Sequence, residues 1–133
     1  MKITRVDHIG IAVPSLDEAQ PFWEAMLGLR FHEREVVAEQ RVTVAVGEAG
    51  ETHIELLEPT DPASPIARFL EKNRPGIHHI ALHVDNLEEA LARLKEQGAQ
   101  LIDAEPRCGA GGKRIAFVER WSASGVLLEL CEG

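Results

Sequence analysis

The sequence predicts an α+β domain made of two tandem β-α-β-β-β modules, and three observations carry that expectation. The first is an internal repeat. Asp7-His8-Ile9-Gly10-Ile11-Ala12-Val13, followed by Leu16-Asp17-Glu18-Ala19, returns 71 residues later as His78-His79-Ile80-Ala81-Leu82-His83-Val84, followed by Leu87-Glu88-Glu89-Ala90. The second is the succession of patterns, a strand, a capped helix and then three strands, met twice. The third is the closing strand of each copy, which is apolar but carries one carboxylate: Ile54-Glu55-Leu56 and Leu128-Glu129-Leu130. A period of about 70 residues exceeds the roughly 20–50 of a solenoid, so a duplicated half-domain fits better.

Module one is expected to span about residues 3–58. Residues 3–13 alternate and are β-branched enough for a strand. Ser15-Leu16-Asp17-Glu18 is a capping box that opens a helix to about Leu27, with Gly28 as its stop. Pro21 removes a backbone bond inside that helix and is expected to kink it. Arg30 to Val37, Arg41 to Gly47 and Thr52 to Glu58 read as strands, the last two joined through Glu48-Ala49-Gly50-Glu51. A linking helix at 64–73 starts with Ser64 as cap and Pro65 at the first helical position. Module two spans about 77–131: a strand at 77–84, a helix from Asn86 to Gln97 stopped by Gly98, and strands near 101–104, 113–119 and 125–131. No linker suggests a second domain within residues 1–133.

Bulk properties narrow the function. A chain of 133 residues can bury roughly two-thirds of its unfolded surface. The net charge of −8 argues against nucleic acid, which rewards clustered Lys and Arg. An anionic ligand would have to meet local basic groups. Two cysteines, Cys108 and Cys131, are too few for a disulfide scaffold and point to a reducing, cytoplasmic address. The absence of a basic-then-apolar leader or long apolar run gives no expectation of secretion or membrane association.

Strand parity gathers the polar groups. His8 shares a face with Val6, Gly10 and Ala12, while Ile9, Ile11 and Val13 point the other way; His79 likewise goes with Ala81 and His83. The bulky rows should pack under helices and the small-residue rows should leave room for a ligand. Glu55 lies with His53 and Leu57, and Glu129 with Leu127 and Cys131. A carboxylate facing inward is costly unless paired, protonated or metal-bound. Two imidazoles and two carboxylates, His8, Glu55, His79 and Glu129, are a divalent metal site in outline. His78 falls on the opposite face from His79 and reads as structural.

These residues resemble the vicinal-oxygen-chelate superfamily, and within it the methylmalonyl-CoA epimerase family. The resemblance covers essentially the whole chain. It rests on Asp7 to Val13, Glu39-Gln40, Glu55-Leu56-Leu57-Glu58-Pro59, Ser64-Pro65-Ile66-Ala67, Phe69-Leu70, Gly76 to Ala81, Glu105-Pro106-Arg107, Gly109 to Lys113 and Gly125 to Leu130. It implies two modules forming a cupped mixed sheet around one metal, with His8, Glu55, His79 and Glu129 as ligands. The cofactor would be one divalent ion, with cobalt, manganese, nickel, zinc and magnesium all open. The substrate would be a CoA thioester, and the protein a homodimer. The implied reaction inverts the methyl-bearing carbon of methylmalonyl-CoA through an enolate, with Glu129 and Glu55 exchanging the proton on opposite faces.

Two departures from the family pattern matter. Some relatives carry Gln where this chain has Glu55, and a Glu in the preceding strand where it has Val44. Glu55 is therefore expected to combine ligand and base. Glu119-Arg120-Trp121 replaces a usual His-Pro-Lys stretch, on a loop and not on a ligand strand. Gln40, His53, Gly111 and Lys113 are candidate substrate contacts, and Arg41 and Arg107 possible CoA contacts. His53 equally suits a supporting position behind the ligands. The Gly109–Gly112 run suits an anion cradle, with a plain turn as the alternative. A glyoxalase-type lyase acting on a glutathione thiohemiacetal is the alternative reaction, and a non-enzymatic binder the alternative class.

Overall fold

The computed structural model describes all 133 residues as a mixed α+β architecture. Its contacts divide into two compact units. The N-terminal unit is His8–His78; the C-terminal unit is Met1–Asp7 with His79–Gly133. Strand β1 (Ile3–Ala12) runs through the boundary, giving its first five residues to the C-terminal unit and its last five to the other.

In the N-terminal unit, β1 pairs in parallel with β5 (Thr52–Pro59), and β5 pairs antiparallel with β4 (Val42–Ala49). The outer strand is broken in two. Both β2 (Arg30–Phe31) and β3 (Glu35–Val37) pair with β4, but three residues between them face only two on β4. The single strand expected over Arg30–Val37 is thus interrupted by a bulge. The Phe31 ring closes on Gly47 there: a Cβ at Gly47 would stand 2.7 Å from its tip.

Helix α1 (Leu16–Pro21) is capped by Ser15, whose Oγ accepts from the Glu18 N–H at 3.3 Å. At Pro21 the winding changes. The chain continues as a wider π-type segment over Phe22–Met26, with the Leu27 N–H donating to the Phe22 carbonyl at 3.0 Å. Proline cannot donate to the turn before it, and the looser winding absorbs the missing bond. Val13, Leu16, Ala45 and Leu56 form the buried core beneath this helix, with Ile11, Ala19, Trp23 and Ile54 around them. Helix α2 (Pro65–Lys72) follows, with the buried Ser64 Oγ accepting from the Ile66 N–H.

The C-terminal unit repeats the plan. Strand β6 (Gly76–Val84) pairs in parallel with β9 (Leu128–Glu132), which pairs antiparallel with β8 (Arg114–Val118). Helix α3 (Leu87–Glu96) is capped by Asn86 and covers Val84, Leu87, Ala90, Leu91, Ala116, Val118 and Leu130. Two expectations change here. The strand near 101–104 reduces to one bridge from Leu101 to Val118, because the Asp103 side chain takes the Phe117 N–H at 2.8 Å. In its place β7 (Arg107–Cys108) pairs with β8. The last strand starts at Leu128 and not at Gly125, since Ser124 and Gly125 are both left-handed, with φ of 57° and 86°.

Candidate metal and substrate site

Each unit holds one buried imidazole beside one buried carboxylate. In the N-terminal unit His8 Nδ1 lies 3.3 Å from Glu55 Oε2; in the other His79 Nε2 lies 3.2 Å from Glu129 Oε1. All four residues are at most 8% exposed. Pairing explains why each carboxylate has room. Glu55 stands between Gly10 on β1 and Val46 on β4, and Glu129 between Ala81 on β6 and Phe117 on β8. A small residue on one side leaves space beside the acid.

The donor set and its spacing fit a divalent ion. Ligand bonds of about 2.1 Å place neighbouring donors about 3.0 Å apart in an octahedron and about 3.4 Å apart in a tetrahedron. The two N···O separations of 3.3 and 3.2 Å fall in that interval. Imidazole with carboxylate suits several first-row ions and magnesium alike.

Around His79 the C-terminal unit is aromatic, its ring meeting Phe117 edge to face at 5.7 Å between centroids. The Arg107 guanidinium lies over the Phe117 ring, 5.0 Å from its centroid, and also reaches Asp103 at 3.2 Å. His53 is half-buried on β5 directly beside His8 across the β1–β5 pair. His78 packs edge to face on Phe69 at 5.2 Å, a structural setting. Gln40 ends a single 3₁₀ turn, Ala38–Gln40, followed by Arg41 in the left-handed region and ion-paired to Asp61 at 3.5 Å. Gly111 is exposed, and with Gly112 it is left-handed (φ 70° and 72°), so this run forms a tight turn into β8.

Lys113 leaves that turn and places its Nζ 3.0 and 3.1 Å from the two oxygens of Asp7, with Arg5 Nη2 at 3.5 Å. Asp7 is completely buried. Sequence reasoning missed it: strict alternation sends it to the face away from His8, yet the two neighbours are both buried. Cys131 feels the same group of charges. Burial first, then the fields of Asp7 and Glu129, push its thiol up to about 12, while Lys113 opposes them.

A separate cleft of about 630 Å³ lies in the C-terminal unit between α3 and residues 104–114. Three of its four cations face acids. Arg114 reaches Glu88 and Glu132 at 2.6 and 2.8 Å, Arg107 reaches Asp103, and Lys113 reaches Asp7.

Comparison with known proteins places these features in a family. Residues 7–117 match the glyoxalase/bleomycin resistance protein/dioxygenase superfamily. The ethylmalonyl-CoA/methylmalonyl-CoA epimerase of Cereibacter sphaeroides is 41% identical over 130 residues, covering 96% of this chain and 97% of that protein. The mitochondrial methylmalonyl-CoA epimerase of Homo sapiens is 39% identical over 127 residues, covering 95% of this chain and 72% of that protein. A point variant of the Streptomyces coelicolor methylmalonyl-CoA epimerase, solved in complex with 2-nitronate-propionyl-CoA, superposes with a TM-score of 0.95 at 36% identity. That match covers 99% of this chain and 96% of the other. The chain belongs to the glyoxalase/bleomycin resistance protein/dioxygenase superfamily, and within it to the methylmalonyl-CoA epimerases.

Proposed function

We propose that this protein is a metal-dependent methylmalonyl-CoA epimerase in which His8, Glu55, His79 and Glu129 hold one divalent ion. The observation that carries the reading is the duplicated, buried His–Glu pair, spaced as neighbouring ligands in each unit. It occurs in a chain 39% and 41% identical to named epimerases over nearly its whole length.

The carbon to be inverted lies between a thioester and a carboxylate, so its proton is acidic once the enolate is stabilised. A bound divalent ion supplies Lewis acidity for that charge. Glu55 and Glu129 supply the proton chemistry, one removing the proton from one face and the other returning it on the opposite face. Such general acid–base help is worth roughly 10²–10⁴-fold, about 3–5 kcal/mol of barrier. Phe117 and the half-buried Val46 flank the two acids with apolar side chains. Gln40, His53, Gly111 and Lys113 are the proposed substrate contacts.

In this reading the enzyme is a cytoplasmic homodimer. Two free thiols suit a reducing compartment, and the exposed Phe22, Met26 and Leu27 on one segment give apolar surface for a second copy. No helix is long and apolar enough to cross a membrane.

The test is deuterium uptake. Metal-loaded protein in D₂O should exchange the α-proton of methylmalonyl-CoA and interconvert its R and S forms, and chelation should stop both. Turnover of the methylglyoxal–glutathione thiohemiacetal without such exchange would replace the epimerase with the lyase.

A further inference from the structure

Lys113 marks a point where the repeat changes chemistry. The pairings that set Val46 opposite Glu55 and Phe117 opposite Glu129 make Val42 the counterpart of Lys113. Val42 is 1% exposed, so the fold is content with an apolar residue at that position. The lysine answers some other demand.

Part of that demand is Asp7, whose two oxygens both lie on the ammonium. A carboxylate this deeply buried needs such a partner. Neutralising Asp7 would be the whole account if Lys113 were buried too, but its side chain keeps 28% of its exposure while Asp7 keeps none. An ammonium carries three donors. Two are taken by Asp7, and the third is free to meet an incoming oxygen. Alternation back from Phe117 and Ile115 carries to Lys113, the extended residue just before β8, and puts it on the same side as Glu129, the partner of Phe117. The turn that delivers it is fixed, with the Gly109 N–H donating to the Lys113 carbonyl at 2.8 Å. Gly109 has no room for a side chain, since a Cβ would stand 2.8 Å from Ile115.

We propose that Asp7 is a positioning residue that holds Lys113 beside Glu129, and that Lys113 so held receives the free carboxylate of the malonyl thioester. The pair is then the device by which the enzyme separates its substrate from thioesters lacking that carboxylate. This rests on the epimerase reading above. Holding the lysine matters because its four-carbon stem is otherwise free, and ordering it before binding removes that cost from the encounter.

The experiment measures binding to the metal-loaded protein of two thioesters differing only in the carboxylate, malonyl-CoA and propionyl-CoA, by calorimetry. A charge-assisted contact of this kind should favour malonyl-CoA by about 10–100-fold in the native protein. Lys113→Met should erase most of that preference by weakening malonyl-CoA alone, and Lys113→Arg should keep much of it. Asp7→Asn should cut the preference in part. Combined with Lys113→Met, it should add nothing further. If Asp7→Asn does not fold, Asp7→Glu takes its place, with the same partial loss expected from a displaced charge. Native protein without the preference, a Lys113→Met variant that keeps it, or one that weakens both thioesters equally would overturn the proposal. So would an Asp7 variant that leaves the preference intact. Because binding is read without turnover, failure to epimerise methylmalonyl-CoA would refute the enzyme reading by itself, separately from this result.

Discussion

The two units share their helix-side packing nearly residue for residue and part company beside the carboxylates. Val13, Leu16, Ala45 and Leu56 under α1 return as Val84, Leu87, Ala116 and Leu130 under α3. Across the sheet, Val46 becomes Phe117, Leu57 becomes Cys131 and Val42 becomes Lys113. The layer that holds strands to helices admits few solutions, whereas the layer around the acids is free to differ. Matching His–Glu pairs with asymmetric surroundings suit a reaction in which one carbon must be approached differently from its two sides.

The largest expected effect breaks the symmetry of the two acids. His79 packs on the Phe117 ring and Glu129 pairs with Phe117 across the strands, while Glu55 has Val46 in the equivalent place. Glu129→Gln and Glu55→Gln should each lower kcat by about 10²–10⁴-fold. The loss at Glu129, in the more enclosed setting, should be the greater. Metal content measured alongside separates a lost base from a lost ligand. Should Glu55→Gln retain full exchange and full inversion, Glu55 is a ligand only, and the proton is returned by another group.

Next in size is a test of the shared layer. Leu56 and Leu130 are 0% and 2% exposed at equivalent places in the two cores. Truncating either to Ala leaves a cavity costing about 2–5 kcal/mol, read from urea midpoints at unchanged slope. Near-equal losses are expected. A deficit confined to one core would mean that the units do not carry stability equally.

That layer was also the part most legible in the sequence. Alternation and capping residues located β1, α1, β6 and α3, because burial on one face writes a period into the chain. His8, Glu55, His79 and Glu129 stood out because the same types recur in register where packing does not require them. Other features left no such trace. Two residues, Arg107-Cys108, are too few to show a period. The stretch 101–104 looks apolar enough for a strand, yet Asp103 spends its side chain on a backbone N–H that a ladder would have used. Asp7 was invisible for a different reason. Its burial depends on a lysine 106 residues away, and nothing local announces that partner.

A smaller effect separates Cys131 from its counterpart Leu57. The thiol's ordinary value of 9.0 rises to about 12 in the folded chain. The unfolded chain therefore loses that proton at lower pH than the folded one. This contribution to stability is complete below pH 9 and falls as pH climbs toward 12, by at most about 1.4 kcal/mol per pH unit. Cys131→Val should flatten the decline of the thermal midpoint above pH 9. Iodoacetamide should label exposed Cys108 in native protein and reach buried Cys131 only after denaturation. A profile unchanged by the substitution would mean that other groups set the alkaline limit.

The smallest effect sharpens the comparison at the helix starts. Glu58 Oε1 accepts from the Leu16 N–H at 2.7 Å, and its counterpart Glu132 Oε2 accepts from the Leu87 N–H at 2.9 Å. Each closing strand thus satisfies one of the otherwise unpaired N–H groups of its own unit's helix, and places a negative charge at the positive helix end. Replacing either glutamate with Gln should cost about 1 kcal/mol, as loss of a helix cap does. Glu132 also meets the exposed Arg114, a pairing that solvent screens to little value. The two variants should therefore differ by less than either differs from the native protein. If Glu132→Gln proves several times more damaging, the Arg114 contact is stronger than its exposure implies. Raising the salt concentration would then narrow the gap, because screening acts on the ion pair and much less on the capping bond.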